Sequence, residues 1–251
     1  MHLQGWLYFF VNWFGLPALA LLAILLVYRR WHRVFPLFLV YVVGTELIGI
    51  ARLVSLRAPA QLYARIYWIS DTVFAALALL ATYELFLKRL FPAFYRVRFY
   101  RTLFPATAIM VTGGAVLVAL LGGHFSILAK TIHLYLFIRS AVLFFFVALM
   151  LIMGRQWTRQ EFGIAFGFGL DVSTALLLLG TWAHNISGRS GAIAIWSVIT
   201  YDIACIIWIY CFWQAPKSEP AVPTAPLSPA ALHEAKKWEA SLKDYISSGK
   251  R

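Results

Sequence analysis

Seven long apolar runs joined by short polar connections constrain this 251-residue chain more than any motif in it. They cover about 6–28, 34–53, 66–87, 102–121, 132–153, 162–182 and 192–213. An α-helix rises 1.5 Å per residue, so roughly 20 apolar residues cross a hydrocarbon core ~30 Å thick. The runs are continuously apolar and do not alternate at every second residue, which selects helices over barrel strands. The sequence therefore predicts an all-α polytopic membrane protein with seven transmembrane helices over residues 1–213. Only 13% of residues are charged and 62% are apolar, against about 25% charged in a soluble domain. That balance excludes a soluble enzyme, a nucleic-acid-binding domain and a disulfide-built module. The first run follows no basic segment and precedes no small-x-small cleavage site, so it reads as a retained helix, bent at Pro17.

The formal net charge of +12 sits mainly in the connections. On a seven-span arrangement Arg29, Arg30, Arg33, Lys88, Arg89, Arg96, Arg98, Arg101, Arg155 and Arg159 share one side with the basic tail. Arg52, Arg57, Arg65, Lys130, Arg139 and Arg189 fall on the other. The positive-inside rule then predicts an outward N-terminus and a cytoplasmic C-terminus, with the basic side against anionic lipid headgroups and no role for nucleic acid. Trp6, Trp13, Trp31, Trp68, Trp157, Trp182, Trp196 and Trp213 fall near run ends and read as interfacial anchors. Residues 88–101 interleave five basic side chains with aromatic ones and read as an interfacial segment. After the last run, 214–229 is a Pro-rich linker. Residues 230–251 form an amphipathic cytoplasmic helix, with Leu232, Ala235, Trp238, Leu242, Tyr245 and Ile246 on the side that needs membrane or a protein partner.

The acids inside the runs are the candidate functional residues. Glu46, Asp71, Asp171 and Asp202 lie within spans, and a charge at the bilayer centre costs at least ~2.5–3.5 kcal/mol, so each must pair, protonate or face a polar interior. Depth arithmetic lets Arg139 reach Asp171 or Asp202, and lets Arg52 or Arg65 reach Glu46 or Asp71. The candidate intramembrane polar site is thus Glu46, Asp71, Arg139, Asp171 and Asp202, with more acids than bases. Tyr63, Tyr67 and Asp71 lie on one helical stripe, where Tyr67 could donate to Asp71. Glu84 and Lys88 form an i,i+4 pair that reads as an anchor. Gly163 and Gly167 form GxxxG, and Gly113 and Gly114 interrupt the fourth run, so these four are candidate packing positions.

No cofactor or metal is predicted. His124, His133 and His184 have no paired spacing on one helix, and 192–213 holds no lysine for a retinal Schiff base. Of the flanking motifs of intramembrane aspartyl proteases only Tyr201-Asp202 matches half, and the Ser173-Thr174 and Ser70-Asp71 dyads have no nearby histidine, so an enzyme is not expected. Cys205 and Cys211 read as buried thiols. The stretches YWISDTVFAALALLATYELF, EFGIAFGFGLDVST and KKWEASL resemble uncharacterised seven-helix bacterial membrane proteins of acidobacteria-like type. That resemblance implies a multi-pass protein of the bacterial cytoplasmic (inner) membrane and transfers no activity. The function expected is a non-enzymatic sensor, scaffold or accessory subunit. The alternative is a small secondary transporter or a cation or proton pathway through the intramembrane carboxylates.

Overall fold

The computed structural model describes residues 2–92, 98–122, 126–152, 156–183 and 190–214, with His233 and Lys237 of the tail. The linker and tail helix expected over 214–251 otherwise lie outside the described residues, as does the middle of the 88–101 segment. Seven α-helices run in order among the described residues: α1 (His2–Tyr28), α2 (Pro36–Ser55), α3 (Ala60–Leu90), α4 (Arg98–Gly122), α5 (Ser126–Ile152), α6 (Arg159–Ala183) and α7 (Ser190–Phe212). A single 3-10 turn, Trp31–Arg33, joins α1 to α2.

Local chemistry sets several of these boundaries. Arg30 takes φ 61 in the left-handed region and so stops α1. Pro36, with no N–H to leave orphaned, opens α2. A capping box opens α6: the Thr158 N–H donates to Glu161 Oε2 at 3.1 Å, and the Glu161 N–H donates to Thr158 Oγ1 at 3.3 Å.

The helices close into a ring, α1–α2–α3–α5–α6–α7 and back to α1, with α4 outside against α3 and α5. The ring encloses an aromatic core in which Phe38, Tyr41, Phe168, Trp208 and Phe212 are fully buried. The rings of Phe38 and Trp208 meet edge to face at 5.4 Å, and those of Tyr41 and Phe168 at 5.1 Å. Large apolar side chains also cover the outside, among them Ile24, Val54, Ile109, Leu121, Phe137 and Ile152. Apolar surface on that scale is stable against lipid and not against water. The chain is a multi-pass helical membrane protein.

The expected seven spans are corrected. Among the described residues four helices are long and apolar enough to cross a membrane: Pro36–Ser55, Ala60–Lys88, Thr102–Gly122 and Ser126–Ala148. Among the described residues two further apolar stretches, Phe14–Tyr28 in α1 and Val198–Phe212 in α7, are shorter. In α6 the first turn carries Arg159, Gln160 and Glu161, and Asp171 follows near its middle. The outward N-terminus and inward C-terminus, which rested on an odd number of spans, fall with that count. Trp31 also differs from expectation. It is buried, with its Nε1 donating to the Gln214 carbonyl at 3.0 Å and its ring edge-on to Phe212, so it closes one end of the core and is not an interfacial anchor.

Candidate functional site

Three polar layers cross the bundle. At the end that gathers Arg29, Arg33, Lys88 and Arg159, the Glu84 side chain is only 1% exposed. Its Oε2 accepts the N–H groups of Leu37 at 2.9 Å and Phe38 at 3.1 Å. Phe35 precedes α2 with no side-chain cap to offer, so a carboxylate from α3 caps the start of α2. The other oxygen, Oε1, pairs with Lys88 Nζ at 3.1 Å. Lys88 also donates to the Val34 carbonyl and lies 5.4 Å from the Phe35 ring centroid. The sequence reading saw only an i,i+4 anchor here. The contact instead ties α3 to the start of α2.

Toward the opposite end, Arg52 Nη2 meets Asp71 Oδ1 at 3.0 Å, and Arg52 Nε donates to Ser70 Oγ at 2.7 Å. The guanidinium lies 4.6 Å from the Tyr67 ring centroid, so the Tyr67 face holds the arginine that pairs with Asp71. Both charged side chains are about a quarter exposed, at 27% and 28%.

The middle layer holds the remaining candidates. Counting from helix ends at the basic side, Glu46 and Asp202 each lie about 15 Å along their helices, and Asp171 about 18 Å. Arg139 Nη2 donates to Asp171 Oδ2 at 2.7 Å across α5 and α6, with the side chains only 5% and 19% exposed. Asp202 is buried on α7 beside α1, where a Cβ added at Gly15 would stand 3.3 Å from its Oδ1. The carboxylates of Asp202, Asp171 and Glu46 all lie within electrostatic reach of the buried Cys205 thiol. The Tyr41 hydroxyl lies beside that of Tyr201.

Satisfaction of this layer is incomplete. Glu46 Oε2, Asp202 Oδ1 and Arg139 Nε are buried without a hydrogen-bond partner among the described residues. Such groups are costly in a dry interior and gather where a site does chemistry. The layer also holds three carboxyls against one guanidinium. The two tyrosines were missed in the sequence, because a tyrosine in an aromatic-rich run carries no signal separating a core ring from a site hydroxyl.

The structure separates the candidate glycines. A Cβ at Gly163 would stand 2.6 Å from Cys211 Sγ, and one at Gly167 would stand 2.6 Å from Trp208 Cε2. The close approach lets Trp208 Nε1 donate to the Gly163 carbonyl at 3.0 Å. This GxxxG therefore joins α6 to α7 within one chain. Gly113 and Gly114 face open space, with nothing within 4 Å of either Cβ position. Gly44 against Leu77 and Gly49 against Leu16 are close contacts that belong to no GxxxG pattern. Gly167→Ala should destabilise the chain by about 1–3 kcal/mol through overpacking against Trp208. Gly113→Ala should be neutral or stabilising by up to about 1 kcal/mol. Thermal unfolding of the two variants side by side checks this, and an equal loss in both would refute the assignment.

His133 is exposed on α5, while His124 and His184 lie outside the described residues. Among the described residues no group of three or more His, Cys, Asp or Glu is placed to hold a metal ion. No family model, curated protein or solved structure matches the chain.

Proposed function

We propose that this is a non-catalytic protein of a bacterial inner membrane that moves protons through its middle polar layer, as a small secondary transporter or proton pathway. The observation that carries the reading is the excess of acid there: Asp171 has Arg139, while Asp202 and Glu46 keep buried oxygens without partners. An unpaired carboxylate in hydrocarbon is stable only when it takes a proton or a cation. The Tyr41 and Tyr201 hydroxyls can each donate and accept, and so can link one carboxyl to the next. Toward one end the layer is followed by Ser70, Asp71 and Arg52. Toward the other the rings of Phe38, Trp208 and Phe212 exclude water. Such an arrangement suits a site loaded from one side and released by helix movement.

In this reading the end bearing Arg29, Arg30, Arg33, Lys88 and Arg159 meets anionic headgroups. The tail segment 230–251 serves as its docking element for a protein partner. Reconstituting the full chain in liposomes that enclose a pH-sensitive dye tests the reading. With a potassium diffusion potential applied, the wild type should acidify the lumen faster than empty liposomes, and Asp202→Asn should fall to the empty-liposome rate. A wild-type rate equal to that of empty liposomes would leave the layer as a static network.

A further inference from the structure

A second site stands outside this polar layer and independent of it, where α7 reaches the basic end of the bundle. Arg159, at the start of α6, lies with its guanidinium 4.0 Å from the Tyr210 ring centroid. It donates from Nη2 to the Tyr210 carbonyl at 3.0 Å. Among the described residues no carboxylate pairs with it. Stacking, that hydrogen bond and a contact to the Cys211 thiol fix the plane of the group and leave several of its five N–H donors uncommitted. Beside it a depression of about 560 Å³ is lined by Arg159, Ile206, Ile209, Tyr210, Trp213 and Gln214.

The shape of this depression distinguishes its occupant. Ile206, Ile209, Tyr210 and Trp213 repeat at i, i+3, i+4 and i+7, so they make a stripe along α7 from the basic end toward the middle of the bundle. Ile206, Tyr210 and Trp213 are exposed at 51%, 67% and 57%, so the stripe opens sideways toward lipid and not into the core. A fixed cation at the top and an apolar slot below match a molecule with an anionic head and a hydrocarbon tail. A soluble anion would use the arginine and leave the slot unfilled. A zwitterionic lipid would fill the slot but bring its own cation to the arginine.

We infer that Arg159 and the α7 stripe form a binding site for one anionic phospholipid, the phosphate on the guanidinium with Gln214 and Trp213 at headgroup level, and one acyl chain along Tyr210 and Ile206. Arginine recognises phosphate through paired N–H donors, and tryptophan is favoured at the headgroup boundary.

Native mass spectrometry of the full chain released from micelles containing equal phosphatidylglycerol and phosphatidylcholine tests the site. One phosphatidylglycerol should be retained in preference to phosphatidylcholine by about tenfold, the scale of one charge-assisted contact. Arg159→Gln should abolish the preference, and Arg159→Lys should keep part of it. Arg29→Gln with Arg33→Gln, at the same end but away from the slot, should leave it intact. Glycerol 3-phosphate in excess should not displace the lipid. Equal retention of the two lipids by the wild type, or loss with the Arg29 and Arg33 changes as readily as with Arg159→Gln, would overturn the site. Should Arg159→Gln fail to fold, a phosphatidylglycerol with a photoreactive acyl chain keeps the test open on the wild type. Cross-links should fall within 206–214, and labelling elsewhere would refute the proposal.

Discussion

Replacing Glu84 by alanine should lower the unfolding free energy by about 3–5 kcal/mol, the scale for removing one partner of a buried ion pair. The loss has three parts. The Leu37 and Phe38 N–H groups at the start of α2 lose their acceptor. Lys88 loses its carboxylate. The packing of α3 against the start of α2 loses the group that fixes its register. Glu84→Gln keeps an oxygen for the amides but removes the charge, and should fall between the wild type and alanine. Unfolding in mixed micelles by denaturing detergent, followed by far-ultraviolet circular dichroism, reads the series. A Glu84→Ala variant within about 0.5 kcal/mol of the wild type would mean that the cap contributes nothing, since that is the usual range for an indifferent surface change.

The second large effect belongs to Arg139. Arg139→Leu leaves Asp171 in the middle layer with Asp202 and Glu46 and no guanidinium, so three carboxyls then share one low-dielectric region. The expected loss is about 3–5 kcal/mol. Adding Asp171→Leu should restore part of it, because the pair is then replaced by apolar groups of similar size. A double-mutant cycle should return a coupling of about 2 kcal/mol. Additive losses, with no recovery in the double variant, would show that the two side chains act separately despite their 2.7 Å contact.

The sequence and the structure agree where depth along a helix is enough to decide. Arg139 meeting Asp171, and Arg52 meeting Asp71, are both legible from residue counts to the ends of the apolar runs. What the counts lack is rotation about each helix axis and neighbour identity. Asp202 stands within about 3 Å of the depth of Asp171, yet faces Gly15 on α1, a contact that no one-dimensional pattern encodes. Glu84 shows the same limit: its local partner Lys88 is visible four residues away, while its partners on α2 are 47 and 46 residues away. The span count failed for a different reason. Apolar runs in a bundle this aromatic can be core as well as lipid-facing surface, and hydropathy alone does not separate the two. Trp31 and Trp208 illustrate the same ambiguity, since both are buried and both donate to carbonyls inside the bundle.

The account turns on whether the unpaired acids of the middle layer take up and release protons. Infrared difference spectroscopy of the reconstituted full chain, stepped between acid and alkaline buffer, measures that directly through the carboxylic C=O stretch. The account predicts a pH-sensitive carboxylic band in the wild type that Asp202→Asn removes while Asp71→Asn leaves it in place. A wild-type spectrum without such a band, or one unchanged by Asp202→Asn, would contradict it.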